Sequence, residues 1–291
     1  MRLELLKSRQ DLPLELKETL SRMKIAEFYH YLGGKVYISF SGGKDSTVLL
    51  HLIRSKFPDV EAVFADTGLE FPEIRNFVKQ TANVTWIKPI MNFKAVIEKY
   101  GYPIVSKDQA CAISRYRNTK HPEQKYYRLN GFPNGKKGMI SKKWQYLINA
   151  PFKISNYCCD IMKKNPLDRF YKKSGKKPFI GVMASDSKMR RDQYLKVGCN
   201  SFESKIIKST PIAFWTEKDI WDYIKKYNLK YSSIYDMGYD HTGCVFCAFG
   251  VHMEKGENRF QRMRKTHPQL HDYCINKLGM GEVLDYINIK Y

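Results

Sequence analysis

"SFSGGKDSTVLL", residues 39–50, joins an apolar run to a helical pattern through a serine, two glycines, a lysine, an aspartate and a second serine. Upstream, "KVYISF" (35–40) is β-branched and aromatic, as a buried strand is, and Asp45 to Ser55 has the apolar spacing of a helix. Glycines at a strand–helix junction let a ligand approach the backbone and turn successive N–H groups inward. The helix start adds unpaired donors and a partial positive charge. Ser41, Ser46 and Thr47 supply hydroxyls and Lys44 a full cation, so the stretch makes a cradle for phosphate or pyrophosphate. It is not the usual nucleoside-triphosphate loop, which needs a glycine where Ile38 stands. Asp45 would repel phosphate unless it orients backbone amides or meets a magnesium ion. The plainer alternative is a Gly-Gly turn capped by serine.

Working outward, "EAVFAD" (61–66) and "VTWIKPI" (84–90) read as further strands, with a helix from Pro72 to about Ala82 between them. Strand, helix, strand, helix, strand at this spacing predicts a parallel sheet with crossover helices. Residues 14–31 read as a helix with Leu16, Leu20, Met23, Ile25 and Ala26 on one face. The stretch 107–149 interrupts the pattern, and its part 130–138 must be a turn or loop; "KPFIGVM" (177–183) resumes the sheet. "TEKDIWDYIKKYN" from Thr216 is an amphipathic helix with a Thr cap and acids in its first turn. A cysteine-bearing turn at 243–247 and two more helices should follow. The expected organisation is an amino-terminal helical extension (1–24), an α/β nucleotide-binding domain (25–215, with 107–149 as a basic insertion) and a helical carboxy-terminal region (216–291).

Fifty Lys and Arg against 29 Asp and Glu leave a net charge of +21, which favours polyanionic partners, nucleic acid or phosphorylated small molecules. Between Lys107 and Lys143 ten cations face two acids, with Tyr116, Tyr126, Tyr127 and Phe132 interleaved. That pattern suits base stacking, a lid over a nucleotide, or a solvated insertion. The amino terminus alternates charge with leucine and has neither a signal-peptide core nor a membrane span, so the expected location is the cytoplasm.

Seven cysteines in a reducing compartment point to metal or redox chemistry rather than a disulfide framework. Cys158, Cys159, Cys244 and Cys247 form two pairs that the fold must bring together. A single zinc is usually held by cysteines spaced two to four residues apart, which adjacent cysteines make awkward. An iron–sulfur cluster accepts thiolates from several directions, so a 4Fe–4S cluster is favoured, with zinc as the alternative. Cys111, Cys199 and Cys274 are isolated and suit core packing.

The "SGGKDS" stretch resembles the pyrophosphate loop of the adenine-nucleotide α-hydrolase group. More narrowly, the chain is similar to the phosphoadenosine phosphosulfate (PAPS) reductase family in "VFADTGLEFPEI" (63–74), "STPIAFWTEKDIWDYI" (209–224) and "IYDMGYDHTGCVFC" (234–247). The likeness runs from about residue 25 to 250 and implies a Rossmann-like α/β fold with helices on both faces of the sheet. It implies nucleotide binding by Ser39, Phe40, Ser41, Gly42, Gly43, Lys44, Asp45, Ser46 and Thr47, with Asp66, Thr67 and Gly68 alongside, and Lys44 and Asp45 in catalysis. The cysteine pattern also resembles the ligand set of the iron–sulfur adenylylsulfate (APS) reductases. Lys163, Lys164, Arg190 and Arg191 are candidates to pair with phosphates or a cluster. The family usually carries an arginine and a glutamate where Met183 and Asp186 stand, which leaves Arg190 and Arg191 to supply charge.

The family's reductases attack sulfate sulfur with a cysteine in a Glu-Cys-Gly-(Ile/Leu)-His tail. Here the last residues are "GEVLDYINIKY", and Cys274 lies in a helical pattern without the expected glycine and histidine. The leading expectation is therefore an enzyme using ATP and Mg2+ to activate an acceptor for sulfur transfer, assisted by the cluster. The acceptor could be DNA or tRNA, as in the phosphorothioation and tRNA-thiolation enzymes of the wider group, with a sulfur-donor or redox protein as partner. The alternative is an APS or PAPS reductase releasing sulfite. A third reading is a non-catalytic nucleic-acid-binding protein on a nucleotide-binding scaffold.

Overall fold

A computed structural model describes residues 3–291. Its strands are β1 (Val36–Ser39), β2 (Ala62–Ala65), β3 (Val84–Ile87), β4 (Ile104–Val105), β5 (Lys177–Ile180), β6 (Asn200–Ser201), β7 (Lys208–Ser209) and β8 (Ala248–Phe249). The chain divides into two compact units that interleave along the sequence: residues 1–66, 70–88 and 166–242 form the first, and 67–69, 89–165 and 243–291 the second.

The first unit is built on a six-stranded sheet in the order β3-β2-β1-β5-β7-β6, parallel except for β6 against β7. Ile38 of β1 pairs with Ala62 on one side and Phe179 on the other. The strand is buried almost throughout, as a central parallel strand covered on both faces must be. Because β2 and β5 flank β1, the chain turns to opposite sides after these strands, and the carboxyl end of β1 is the switch point where open α/β sheets receive ligands. The helix after it, Lys44–Arg54, buries Val48, Leu49, Leu52 and Ile53 completely. Each such side chain contributes about 1.5–3 kcal/mol relative to exposure, which fixes the helix start beneath the strand end.

The helix Leu14–Tyr31 runs through the expected boundary at residue 24, and of the expected apolar face Leu16, Leu20, Met23, Ile25 and Ala26 only Ile25 is buried. Leu16 and Met23 are exposed, while Lys17, Glu18, Ser21, Ile25 and Phe28 are buried. The inward polar groups are all served. Lys17 Nζ pairs with Asp219 at 2.7 Å, and the Ser21 hydroxyl donates to the Pro211 carbonyl and accepts from the Trp215 indole. Hydrogen-bonded polar side chains therefore outweigh simple apolar spacing here. Asp219 also completes the capping box with Thr216 at the start of the Glu217–Lys226 helix.

In the second unit β4 pairs in parallel with β8. Residues 107–149, expected as an insertion in the nucleotide-binding domain, belong to this unit and are largely helical: Lys107–Asn118, Pro122–Asn130 and a 3-10 segment Lys142–Asn149. The short link 119–121 and the stretch 131–141 are irregular, the latter around a bridge between Phe132 and Gly135. Helices Arg259–Thr266, Pro268–Asp272 and Met280–Tyr286 close the unit. No helix among the described residues is long and apolar enough to cross a membrane.

Candidate functional site

The loop Ser41–Asp45 leaves β1 and enters its helix through Gly42 at φ +73°. A Cβ on Gly42 would stand 2.7 Å from Val78 Cγ2, so both conformation and space demand glycine. One on Gly43 would stand 2.9 Å from Thr242 Oγ1. The loop is braced internally. The Ser46 hydroxyl donates to the Gly43 carbonyl at 2.9 Å and accepts from Ser41 N–H at 3.2 Å, and Thr47 Oγ1 donates to the same carbonyl at 3.0 Å. Ser46 and Thr47 thus hold the turn, while Ser41 is exposed at its mouth.

Lys44 is buried. Its Nζ lies 3.1 Å from Glu217 Oε1 and donates to the Asp240 carbonyl at 2.9 Å, and its backbone N–H donates to the Tyr235 hydroxyl at 2.8 Å. Burial alone would lower the ammonium pKa, but Asp45, Glu217 and Tyr235 outweigh it and hold it above the ordinary lysine value. The Asp45 carboxyl is pushed upward, by burial first, with Lys44 opposing and Asp186 and Glu217 adding to the rise. Its Oδ1 is buried with no hydrogen-bond partner. A buried carboxylate oxygen without a donor is costly unless a cation or a ligand proton meets it.

Of the other expected nucleotide residues, Ser39 ends β1 and Phe40 is core, 2 % exposed and packed near Phe77. Asp66 is buried at the end of β2 and accepts from Arg75 Nη2 at 3.0 Å. Arg190 is tied to Asp186, whose carboxylate also accepts from the Met183 N–H at 3.0 Å, while Arg191 faces Asp192. In the second unit Thr67 Oγ1 accepts from the Leu69 N–H, and Gly68 turns at φ +72°. Tyr235, Glu217, Asp240 and Arg75 could not be singled out from the sequence. Tyr235, Glu217 and Asp240 reach Lys44 by long-range contacts, and Arg75 reaches Asp66 nine residues away. The local signals were the motifs at 209–224, which carries Glu217, and 234–247, which carries Tyr235 and Asp240.

Within the second unit, Cys158, Cys159, Cys244 and Cys247 line one cavity with Leu69, Phe93, Pro103, Met162 and Lys163. Cys158 and Cys159 open a helical segment at Tyr157, and Cys247 N–H bonds to the Cys244 carbonyl across a tight turn. The Cys158 thiol is raised, chiefly by its hydrogen bond to Cys159, and Cys159 is lowered by that bond against burial, with Lys107 and Lys163 assisting. Lys163 of the expected pair therefore faces the thiols, whereas Lys164 pairs with Asp160 at 2.6 Å. Lys107, expected only as part of the basic segment, lies two residues after Val105, a β-branched residue held at φ +63°. Arg259 donates to the Cys247 carbonyl at 3.0 Å. No group of three or more His, Cys, Asp or Glu among the described residues is arranged to hold one metal ion. Cys199 and Cys274 are buried elsewhere, and burial pushes the Cys274 thiol up to about 12.

The model of the phosphoadenosine phosphosulfate reductase domain matches residues 35–249, a span that takes in both the loop and the four thiols. The chain belongs to that family. Relatives of this chain include an uncharacterized protein of Methanocaldococcus jannaschii, 25% identical over 270 residues, covering 91% of this chain and 53% of that protein. The adenosine 5'-phosphosulfate reductase of Staphylococcus haemolyticus is 26% identical, covering 84% of this chain and 83% of that enzyme. The chain spans about half the length of the two Methanocaldococcus proteins it matches. Among solved structures, the PAPS reductase of Candida auris in a phosphate complex is 19% identical, covers 84% of this chain and 96% of that one, and superposes at a TM-score of 0.46. That likeness is too distant to add to the family assignment.

Proposed function

We propose that this chain is an ATP-dependent activating enzyme of the PAPS reductase family that serves a sulfur-transfer reaction. The observation that carries the reading is the loop at the carboxyl end of β1, where a buried Lys44 cation and a partnerless Asp45 oxygen flank helix-start N–H groups. The phosphates of ATP would lie against the backbone from Gly42 to Ser46, with Ser41 at the mouth. Asp45 Oδ1 is the hard oxygen donor a Mg2+ ion takes, and the ion would enter with the nucleotide. An acceptor oxygen attacks the α-phosphorus, the bond to the bridging oxygen breaks, and pyrophosphate leaves with the electron pair. Lys44 and the loop amides stabilise the charge that develops on the departing oxygens. A sulfur nucleophile from a donor protein then displaces AMP from the adenylated acceptor.

The four thiols fit a 4Fe–4S cluster better than a lone zinc. All four line one largely apolar cavity, and a cluster accepts thiolates from several directions, which suits the adjacent pair Cys158 and Cys159. When bound, the cluster would supply a soft, sulfur-binding centre for the transfer step. Lys107 and Lys163 would offset the negative charge of its thiolates, and Leu69, Phe93 and Met162 would keep water away.

A second reading, a sulfonucleotide reductase, is favoured by the APS reductases among the relatives. Its weakness is Cys274: fully buried, with a raised pKa, it is a poor nucleophile. The two readings separate in one assay of the anaerobically purified protein. Pyrophosphate released from ATP and lost in Lys44→Met supports the first. Sulfite released from APS or PAPS with thioredoxin, without ATP turnover, overturns it.

A further inference from the structure

The second unit holds 22 Lys and Arg against nine Asp and Glu, so +13 of the net +21 falls there. Not all of those cations are available. Arg117 spends its guanidinium on the carbonyls of Leu147, Ile148, Ala150 and Phe152, at 2.6–2.8 Å. Arg128 donates to the Gly138 carbonyl at 2.8 Å and lies 4.8 Å from the Phe132 ring, which clamps the 131–138 turn onto the Pro122–Asn130 helix. What the clamp leaves outside is Lys136 and Lys137 on the turn, both exposed, and Lys142 and Lys143 just beyond. None of these four lysines has an ion-pair partner among the described residues. Glu123, a rare acid in the segment, is engaged by the Tyr127 hydroxyl at 2.9 Å.

The Pro122–Asn130 helix has no buried residue at all. Nine residues in water are too few for a helix to persist on propensity, so this one depends on the clamp. Yet it carries Tyr126, 61 % exposed, at the head of a series of rings: Tyr126 to Tyr127 at 5.9 Å and Tyr127 to Phe132 at 5.5 Å. A face kept polar only for solubility has no use for an exposed tyrosine braced by two more rings.

We propose that this face binds single-stranded nucleic acid, with Tyr126 stacking an unpaired base and Lys136 and Lys137 holding the flanking phosphates. A ring with one free face needs a base that is not already stacked in a duplex. The site stands apart from the nucleotide reading and needs no added ATP.

The test is fluorescence anisotropy of the full chain with a labelled single-stranded oligonucleotide, its duplex, and unlabelled heparin as competitor, at several salt concentrations. The expected result is preference for the single strand and about tenfold weaker binding by Tyr126→Ala, with Tyr126→Phe close to wild type. The double variant Lys136→Ala, Lys137→Ala should flatten the log–log salt slope by about 1.4, roughly 0.7 for each phosphate that is no longer neutralised. Far-UV circular dichroism of each variant checks that the short helix persists. If Tyr126→Ala unfolds it, the salt slope of the lysine pair decides. Equal affinity for duplex, an unchanged slope in the lysine variant, or no binding overturns the proposal and leaves the nucleotide reading untouched.

Discussion

The hydroxyl of Tyr235 accepts a 2.8 Å hydrogen bond from the backbone N–H of Lys44, 191 residues away in the chain. That N–H is one of the donors a helix start leaves unpaired, so a side chain stands where a phosphate oxygen would be received. Tyr235→Phe keeps the ring beside Lys44 Nζ and removes the acceptor. The variant should lose about 1 kcal/mol of stability. Inorganic pyrophosphate should bind it about fivefold tighter in calorimetry, because no internal hydroxyl competes. Weaker binding would mean that the hydroxyl itself contacts the phosphate.

Lys44→Met fills the same buried space without the charge. Glu217, whose side chain is 53 % exposed, then returns to water at little cost. Thermal unfolding should move little, while pyrophosphate release from ATP falls about 100-fold or more, the loss expected when a donor to a developing anion is removed. A large drop in stability with activity preserved would assign Lys44 to the scaffold instead.

Asp45 gives a pH-dependent signature. Burial raises its folded-state pKa above the unfolded value, so between those two values the folded protein binds more protons than the unfolded one. Stability therefore falls as pH rises through that window, and the cost of the buried anion is fully present above it. Asp45→Asn should make the nucleotide-free protein at least as thermostable as wild type at pH 7, with the difference closing as pH drops below the carboxylate range. Mg2+ with pyrophosphate should raise the unfolding temperature of wild type and not of the variant. A less stable variant at pH 7 would show that the carboxylate is paired rather than waiting for a ligand.

The loop was legible because its chemistry is local. Glycines, hydroxyls, a cation and a carboxylate fall within six residues of a strand end. The strands were legible for a similar reason, since β1 and β2 are buried on both faces and read as continuous apolar runs. The inward face of the Leu14–Tyr31 helix was not legible, because Lys17 and Ser21 are buried only by virtue of Asp219, Pro211 and Trp215, some 200 residues later. Tyr235 and Glu217 are invisible for the same reason: nothing near them in the chain names Lys44 as their partner. The cysteine pairs were visible as pairs, while Lys107 beside Cys159 depends on how the second unit folds.

The thiols divide by environment. Anaerobic purification should give a brown protein with about four irons and four sulfides. Cys158→Ala or Cys247→Ala should abolish most of that iron. Cys274→Ser places a hydroxyl in a fully buried helical site and should cost about 1–3 kcal/mol while leaving iron content unchanged. One zinc per chain, with no sulfide, would refute the cluster assignment.

The central claim is that a nucleotide's phosphates are received by the backbone of residues 42–46, and amide chemical shifts report on it residue by residue. Titrating inorganic pyrophosphate with Mg2+ into 15N-labelled protein should move the Gly42, Gly43, Lys44 and Ser46 resonances most, with saturation, and Lys44→Met should suppress the change. Saturating shifts confined to other amides, or none at all, would contradict the account.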